Sequence, residues 1–209
     1  MRASSWPDAW LQLVLTDQPI HLAAAKGDIA ELQAQLKSGV DMNSRGQRGC
    51  TALMRGASQG HLDAVKFLVE HGAAVDKADE DGWTALHFAC AFGGHADVAA
   101  FLLDSGAELN KFSGDTPLMI AAAFNQQTCV KLLLERKADP AVQRLRDGKT
   151  ALDFAHLDEI ASMLQTAGTA ASPPAPPAPR VDSAAASTAP AAPAAAVAAS
   201  ASDKADSKV

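Results

Sequence analysis

Thr51-Ala52-Leu53-Met54 returns as Thr84-Ala85-Leu86-His87, then as Thr116-Pro117-Leu118-Met119 and as Thr150-Ala151-Leu152-Asp153. The spacings are 33, 32 and 34 residues, and a degenerate copy, Gln18-Pro19-Ile20-His21, lies 33 residues before Thr51. A unit of this length written almost five times over marks a stack. One such unit cannot bury its apolar face alone, and neighbouring units bury it together.

Within a unit, Leu53, Ala57, Val65, Leu68 and Val69 recur at helical spacing, with Asp63, Lys66 and Glu70 between them. The pattern predicts two helices per unit, the second with one wet face. The first helices are short and Ala-rich, as in Leu22-Ala23-Ala24-Ala25 and Ala121-Ala122-Ala123, which lets neighbours approach closely. Gly39, Gly72 and Gly106 follow the second helices, where a left-handed residue stops the helix. Lys137 takes the same slot after Leu132-Leu133-Leu134-Glu135-Arg136. A positive φ is expected there at a cost of about 1 kcal/mol, which makes repeat four a weak joint.

The tetrapeptides, together with Gly60-His61 and Gly94-His95 after the first helix and Gly72-Ala73-Ala74-Val75-Asp76 and Gly106-Ala107-Glu108-Leu109-Asn110 after the second, resemble the ankyrin repeat. The resemblance covers residues 17–168. It implies an all-α repeat solenoid in which each unit adds a hairpin, a helix, a tight turn and a second helix. About four full repeats are followed by a shortened C-terminal capping repeat, Thr150 to Gly168. It also implies that His21, His87, His61 and His95 tie turns and hairpins together. Asn43 and Asn110 resemble asparagines that are hydroxylated in some ankyrin repeats, set against ordinary hairpin hydrogen bonding by the amide.

Three regions are expected: an N-terminal capping segment, 1–16; the repeat domain, 17–168; and a tail, 169–209. Ser5-Trp6-Pro7-Asp8 predicts a short helix over residues 6–15 rather than a signal peptide. Seven of the eleven prolines fall between Pro173 and Pro193, and from Thr169 onward the chain is almost wholly Ala, Pro, Ser and Thr. Such a segment buries too little apolar surface to offset its chain entropy and reads as a disordered tail.

The net charge is −6, and it argues against nucleic acid, whose binders show a basic face. No apolar run is long enough to span a membrane. Cys50, Cys90 and Cys129 sit in separate repeats and read as free thiols, which places the chain in the cytoplasm, with Cys50 the exposed one. No nucleophile elbow, zinc-protease motif, phosphate loop or C-x-x-C occurs. No enzyme, cofactor or metal is therefore expected.

Aromatic residues are only 5% of the chain, yet Trp83, Phe92, Phe112 and Phe124 fall in slots that the ankyrin family leaves variable and usually exposes on its concave face. They read either as a binding hot spot or as residues shielding one another. Arg45, Arg48, Glu80, Asp81 and Arg146 fall in hairpin tips, where charge sets partner selectivity. The expectation is a monomeric scaffold or adaptor that binds a protein partner through its concave face and hairpin tips. The alternatives are a regulator or inhibitor of a specific enzyme, and a secreted effector acting in another cell.

Overall fold

A computed structural model describes residues 17–171, Phe112 excepted. The first copy of the unit forms α1 (Pro19–Lys26) and α2 (Ile29–Lys37), and the second forms α3 (Ala52–Ser58) and α4 (Leu62–Glu70). The third forms α5 (Ala85–Ala91) and α6 (Ala96–Asp104), the fourth α7 (Pro117–Ala123) and α8 (Gln127–Glu135). In the fifth, the first helix shrinks to a single 3-10 turn, Ala151–Phe154, followed by α9 (Asp158–Ala171). The N-terminal helix expected over residues 6–15 and the tail beyond Ala171 lie outside the described residues. Helix α9 runs past the domain boundary drawn at residue 168.

Each first helix packs on the first helix of the next repeat, and each second helix on the next second helix, so the stack has an inner and an outer layer. Leu53, Leu86 and Leu118 of the inner layer meet Leu68, Leu102 and Leu133 of the outer layer in one continuous buried cluster. Burying each leucine is worth about 1.5–3 kcal/mol, so stability resides in the interfaces between units. The connections are extended fingers without strands among the described residues. Single backbone bonds close them, from Gly46 N–H to the Cys50 carbonyl (2.8 Å) and from Asp79 N–H to the Trp83 carbonyl (2.9 Å).

The repeated tetrapeptide opens each inner helix by capping. Thr51 Oγ1 accepts from the Met54 N–H at 3.4 Å and Thr116 Oγ1 from the Met119 N–H at 3.3 Å. Where the fourth residue is His, the imidazole adds a second tie. His87 Nδ1 accepts the Thr84 N–H at 3.2 Å, which puts the ring proton on Nε2, and that nitrogen donates to the Asp115 carbonyl of the next finger at 3.2 Å. His21 does the same between the Gln18 N–H and the Ser44 carbonyl, each at 3.1 Å. Burial holds His87 below the ordinary imidazole pKa, against the opposing pull of backbone carbonyls and of the Asp79 and Asp115 carboxylates.

Two glycine slots carry the register. Gly60 ends α3 at φ +73°, and a Cβ there would lie 2.3 Å from Nδ1 of His95 in the following repeat. In repeat four the corresponding pair is Asn125, left-handed at φ +56°, and Gln126, whose Nε2 donates to the Ala91 carbonyl at 3.4 Å. The second slot closes the outer helices, and Lys137 occupies it at φ +66°, as its position predicts. No atom lies within 4 Å of a Cβ built on Gly39, Gly72 or Gly106, so that slot has room for a side chain and the cost of Lys137 is in the backbone alone.

All three cysteines are buried. This corrects the expectation that Cys50 is exposed: its Sγ is tucked 3.9 Å from Asp79 Oδ2 of the next finger, and burial pushes the thiol pKa up.

Candidate protein-docking face

Trp83 stands at the root of the finger that leads into repeat three because it directly precedes the helix-opening Thr84. Its ring lies 6.1 Å from that of His87, nearly parallel, and 5.5 Å from Phe88, edge to face. Phe88 continues to Phe92 at 6.1 Å, and Phe92 to Phe124 of the next repeat at 5.7 Å. Phe92 and Phe124 follow the last residues of α5 and α7, so the period of the stack brings them together. The four rings therefore form one chain across repeats three and four. Phe92 remains 46% exposed and Phe124 44%. The rings pack against one another, and Phe92 and Phe124 leave apolar surface exposed beside them.

Two concavities meet at this surface. One, of about 350 Å³, is walled by Trp83, Phe88 and Phe92 with Arg48 and Arg55 opposite. The other, of about 490 Å³, is lined by three successive fingers, at Trp83, at Ser113-Gly114-Asp115 and at Arg144-Leu145-Arg146. Trp83 and Asp81 line both and form the partition between them.

The charged fingertips divide into paired and unpaired groups. Arg48 and Asp81, expected as free partner contacts, form an ion pair with each other across adjacent fingers. The Glu80 N–H adds a backbone bond to the Arg48 carbonyl at 3.1 Å. Arg45, Glu80 and Arg146 are exposed and have no ion pair among the described residues. Arg144 pairs with Asp115 and lies 3.5 Å from Asp147, with its guanidinium 4.5 Å above the Phe154 ring. It roots the finger that presents Leu145, 87% exposed, beside Arg146.

Phe88 and Leu145 were missed in the sequence. Phe88 stands four residues before Phe92, a spacing that places both on one helix face. Leu145 carried no such signal, since one apolar residue between two arginines shows no periodicity. Phe112 lies outside the described residues. Asn43 and Asn110 serve as clasps between repeats: their side-chain oxygens accept the Ala74 N–H at 2.8 Å and the Asp139 N–H at 3.2 Å, while Asp76 accepts the Glu108 N–H at 3.0 Å.

Among the described residues no cluster of His, Cys, Asp and Glu is arranged to hold a metal ion, and no helix is long and apolar enough to cross a membrane.

The family model for ankyrin repeats (3 copies) matches residues 20–113 and 108–170. The chain is 33% identical over 166 residues to a probable E3 ubiquitin-protein ligase, XBOS32, of Oryza sativa subsp. japonica, covering 64% of this chain and 34% of that protein. It is 44% identical over 75 residues to the Notch-regulated ankyrin repeat-containing protein of Homo sapiens, covering 34% of this chain and 65% of that one. Ankyrin repeat and SOCS box protein 11 of Danio rerio is 34% identical over 120 residues, 57% of this chain and 41% of its own length. The chain thus spans between about a third and two thirds of these relatives.

Proposed function

The chain belongs to the ankyrin-repeat family, a non-enzymatic interaction fold, and on that premise we propose that it is a scaffold or adaptor that holds a protein partner on its concave face. The observation that carries this reading is the ring chain Trp83, Phe88, Phe92 and Phe124, exposed along one side where two concavities meet. Aromatic anchors in water-excluding hollows dominate the energetics of protein interfaces. The repeat stack supplies the rigidity that keeps them in place before binding. Relatives named for ubiquitin ligation and for a SOCS box are matched over 34% and 41% of their lengths, and the activities those names carry are not assigned to this chain.

Trp83→Ala combined with Phe124→Ala tests the reading. Affinity for a partner recovered with the intact protein should fall by at least about 30-fold while circular dichroism stays unchanged. Full retention of binding by the double variant sinks the concave-face assignment.

A further inference from the structure

Resting on the docking reading above, we propose that the concave face takes an extended partner segment carrying a bulky apolar or aromatic side chain next to an acidic one. The apolar group seats against Trp83, Phe88 and Phe92, and the carboxylate pairs with Arg146.

The charge inventory of the two concavities carries this choice. Asp79 accepts the N–H groups of Asp81 and Trp83 at 2.9 and 2.8 Å, Asp81 is held by Arg48, and Asp115 by Arg144. Arg55 is engaged by Asp17 at 2.9 Å. Among the described residues, Arg146 is the charged side chain lining either hollow that has neither an ion pair nor a hydrogen bond. Arg45 and Glu80 are also unpaired but line neither hollow.

A basic ligand group meets Asp81 and Asp115 already held by arginines, and Asp79 with its Oδ1 taken by two backbone N–H groups and its Oδ2 facing Cys50 Sγ at 3.9 Å. A carboxylate reaching Arg146 displaces nothing. The chain's net charge of −6 opposes an acidic partner at long range, but at physiological salt the Debye length is about 8 Å, so the local pair decides. Leu145, almost fully exposed beside Arg146, supplies apolar surface for the stem of the same side chain. The shared Trp83 wall makes the two hollows neighbours, so one extended stretch crossing Trp83 engages both.

The test selects a phage-displayed library of random linear peptides on the immobilised full chain. Selected peptides are then measured against wild type, Phe92→Ala, Arg146→Glu and Arg146→Lys. The proposal expects enrichment of Trp, Phe or Leu close to Asp or Glu. Binding should be lost with Phe92→Ala, weakened at least about fivefold by Arg146→Glu and by added salt, and largely kept by Arg146→Lys. Both positions are exposed, and dichroism of each variant checks the fold. Peptides that depend on Phe92 but show no acidic preference, or that ignore Arg146→Glu, overturn the acidic occupant and leave the docking reading standing. Peptides indifferent to Phe92→Ala, or the absence of any selected peptide, overturn both.

Discussion

Repeat three has His87 in its helix-opening tetrapeptide, Gly94-His95 at the turn between its helices and Gly106 after the second. Repeat four has Met119, Asn125-Gln126 and Lys137 in the same places. The two slots keep the same hand in both, Gly94 and Asn125 at φ +61° and +56° and Gly106 and Lys137 at +93° and +66°, although the turn of repeat three carries one more residue, with Gly93 also left-handed at φ +79°. Stacking on neighbours imposes the left-handed conformation whichever residue is present. What changes is the strain, which falls on two non-glycine residues in repeat four, and the imidazole tie, which repeat three has and repeat four lacks. Trp83, Phe88 and Phe92 belong to repeat three, so three of the four proposed anchors stand on the better-held unit.

The sharpest way to break this comparison is to add one methyl group at each turn. In Gly60→Ala the new Cβ meets His95 Nδ1 at 2.3 Å, and a ring wedged between repeats cannot swing far. Left-handed strain and overpacking together should cost about 2–4 kcal/mol in urea unfolding. In Gly94→Ala the nearest atom is Gln126 Oε1 at 2.2 Å, the far end of a flexible amide, and the cost should be only about 1–2 kcal/mol. Equal losses would mean that the histidine at the second junction is no stiffer than the glutamine at the third.

The imidazole tie makes a claim about pH. His87 titrates below its ordinary value of 6.5 in the folded chain because it is buried. The unfolded chain therefore binds more protons between the folded value and 6.5, so stability is fully present above 6.5 and falls as pH drops through that window. The slope from this one group is at most about 1.4 kcal/mol per pH unit. His87→Gln should be less stable near neutrality and should have a flatter profile below 6.5. A parallel profile in wild type and variant would remove His87 as the source.

The architecture was legible because it is written in periodic residues. Thr51, Thr84, Thr116 and Thr150, the glycines after the outer helices and the Ala-rich inner helices each repeat a local rule in phase, and Lys137 betrayed its φ by occupying a glycine's place. The candidate site was legible in part. Trp83, Phe92 and Phe124 were singled out because they fall in slots that the family leaves variable, but which charges are spent on one another depends on distances between fingers. That is why Arg48 and Asp81, which pair with each other, were grouped with the unpaired Arg146. Cys50 misled for a related reason: its place beside a finger suggested exposure, while the next repeat's Asp79 covers it.

A smaller test separates backbone strain from contact. Gly106→Ala adds a Cβ with nothing within 4 Å, so its cost should be the left-handed penalty alone, about 1 kcal/mol. A loss as large as that of Gly60→Ala would show that open space at a glycine does not predict tolerance in this stack.

The smallest effect reads the same slot from the other side. Lys137 sits at φ +66° where the three preceding repeats have Gly, and it is exposed with no ion pair among the described residues. Lys137→Gly therefore removes a left-handed penalty without deleting a contact. The greater freedom of Gly in the unfolded chain offsets part of the gain, leaving roughly 0.5–1 kcal/mol of net stabilisation. The helix end itself should be unaffected, since the Ala138 N–H reaches the Leu133 carbonyl at 2.9 Å in the same closing turn that joins Ala107 to Leu102 and Ala73 to Leu68. Chemical denaturation of the two proteins decides it. A higher midpoint with an unchanged denaturant slope places the strain at Lys137, whereas an unchanged or lower midpoint means that stacking, rather than the residue, sets the energy of that turn and that repeat four is no weaker than repeat three.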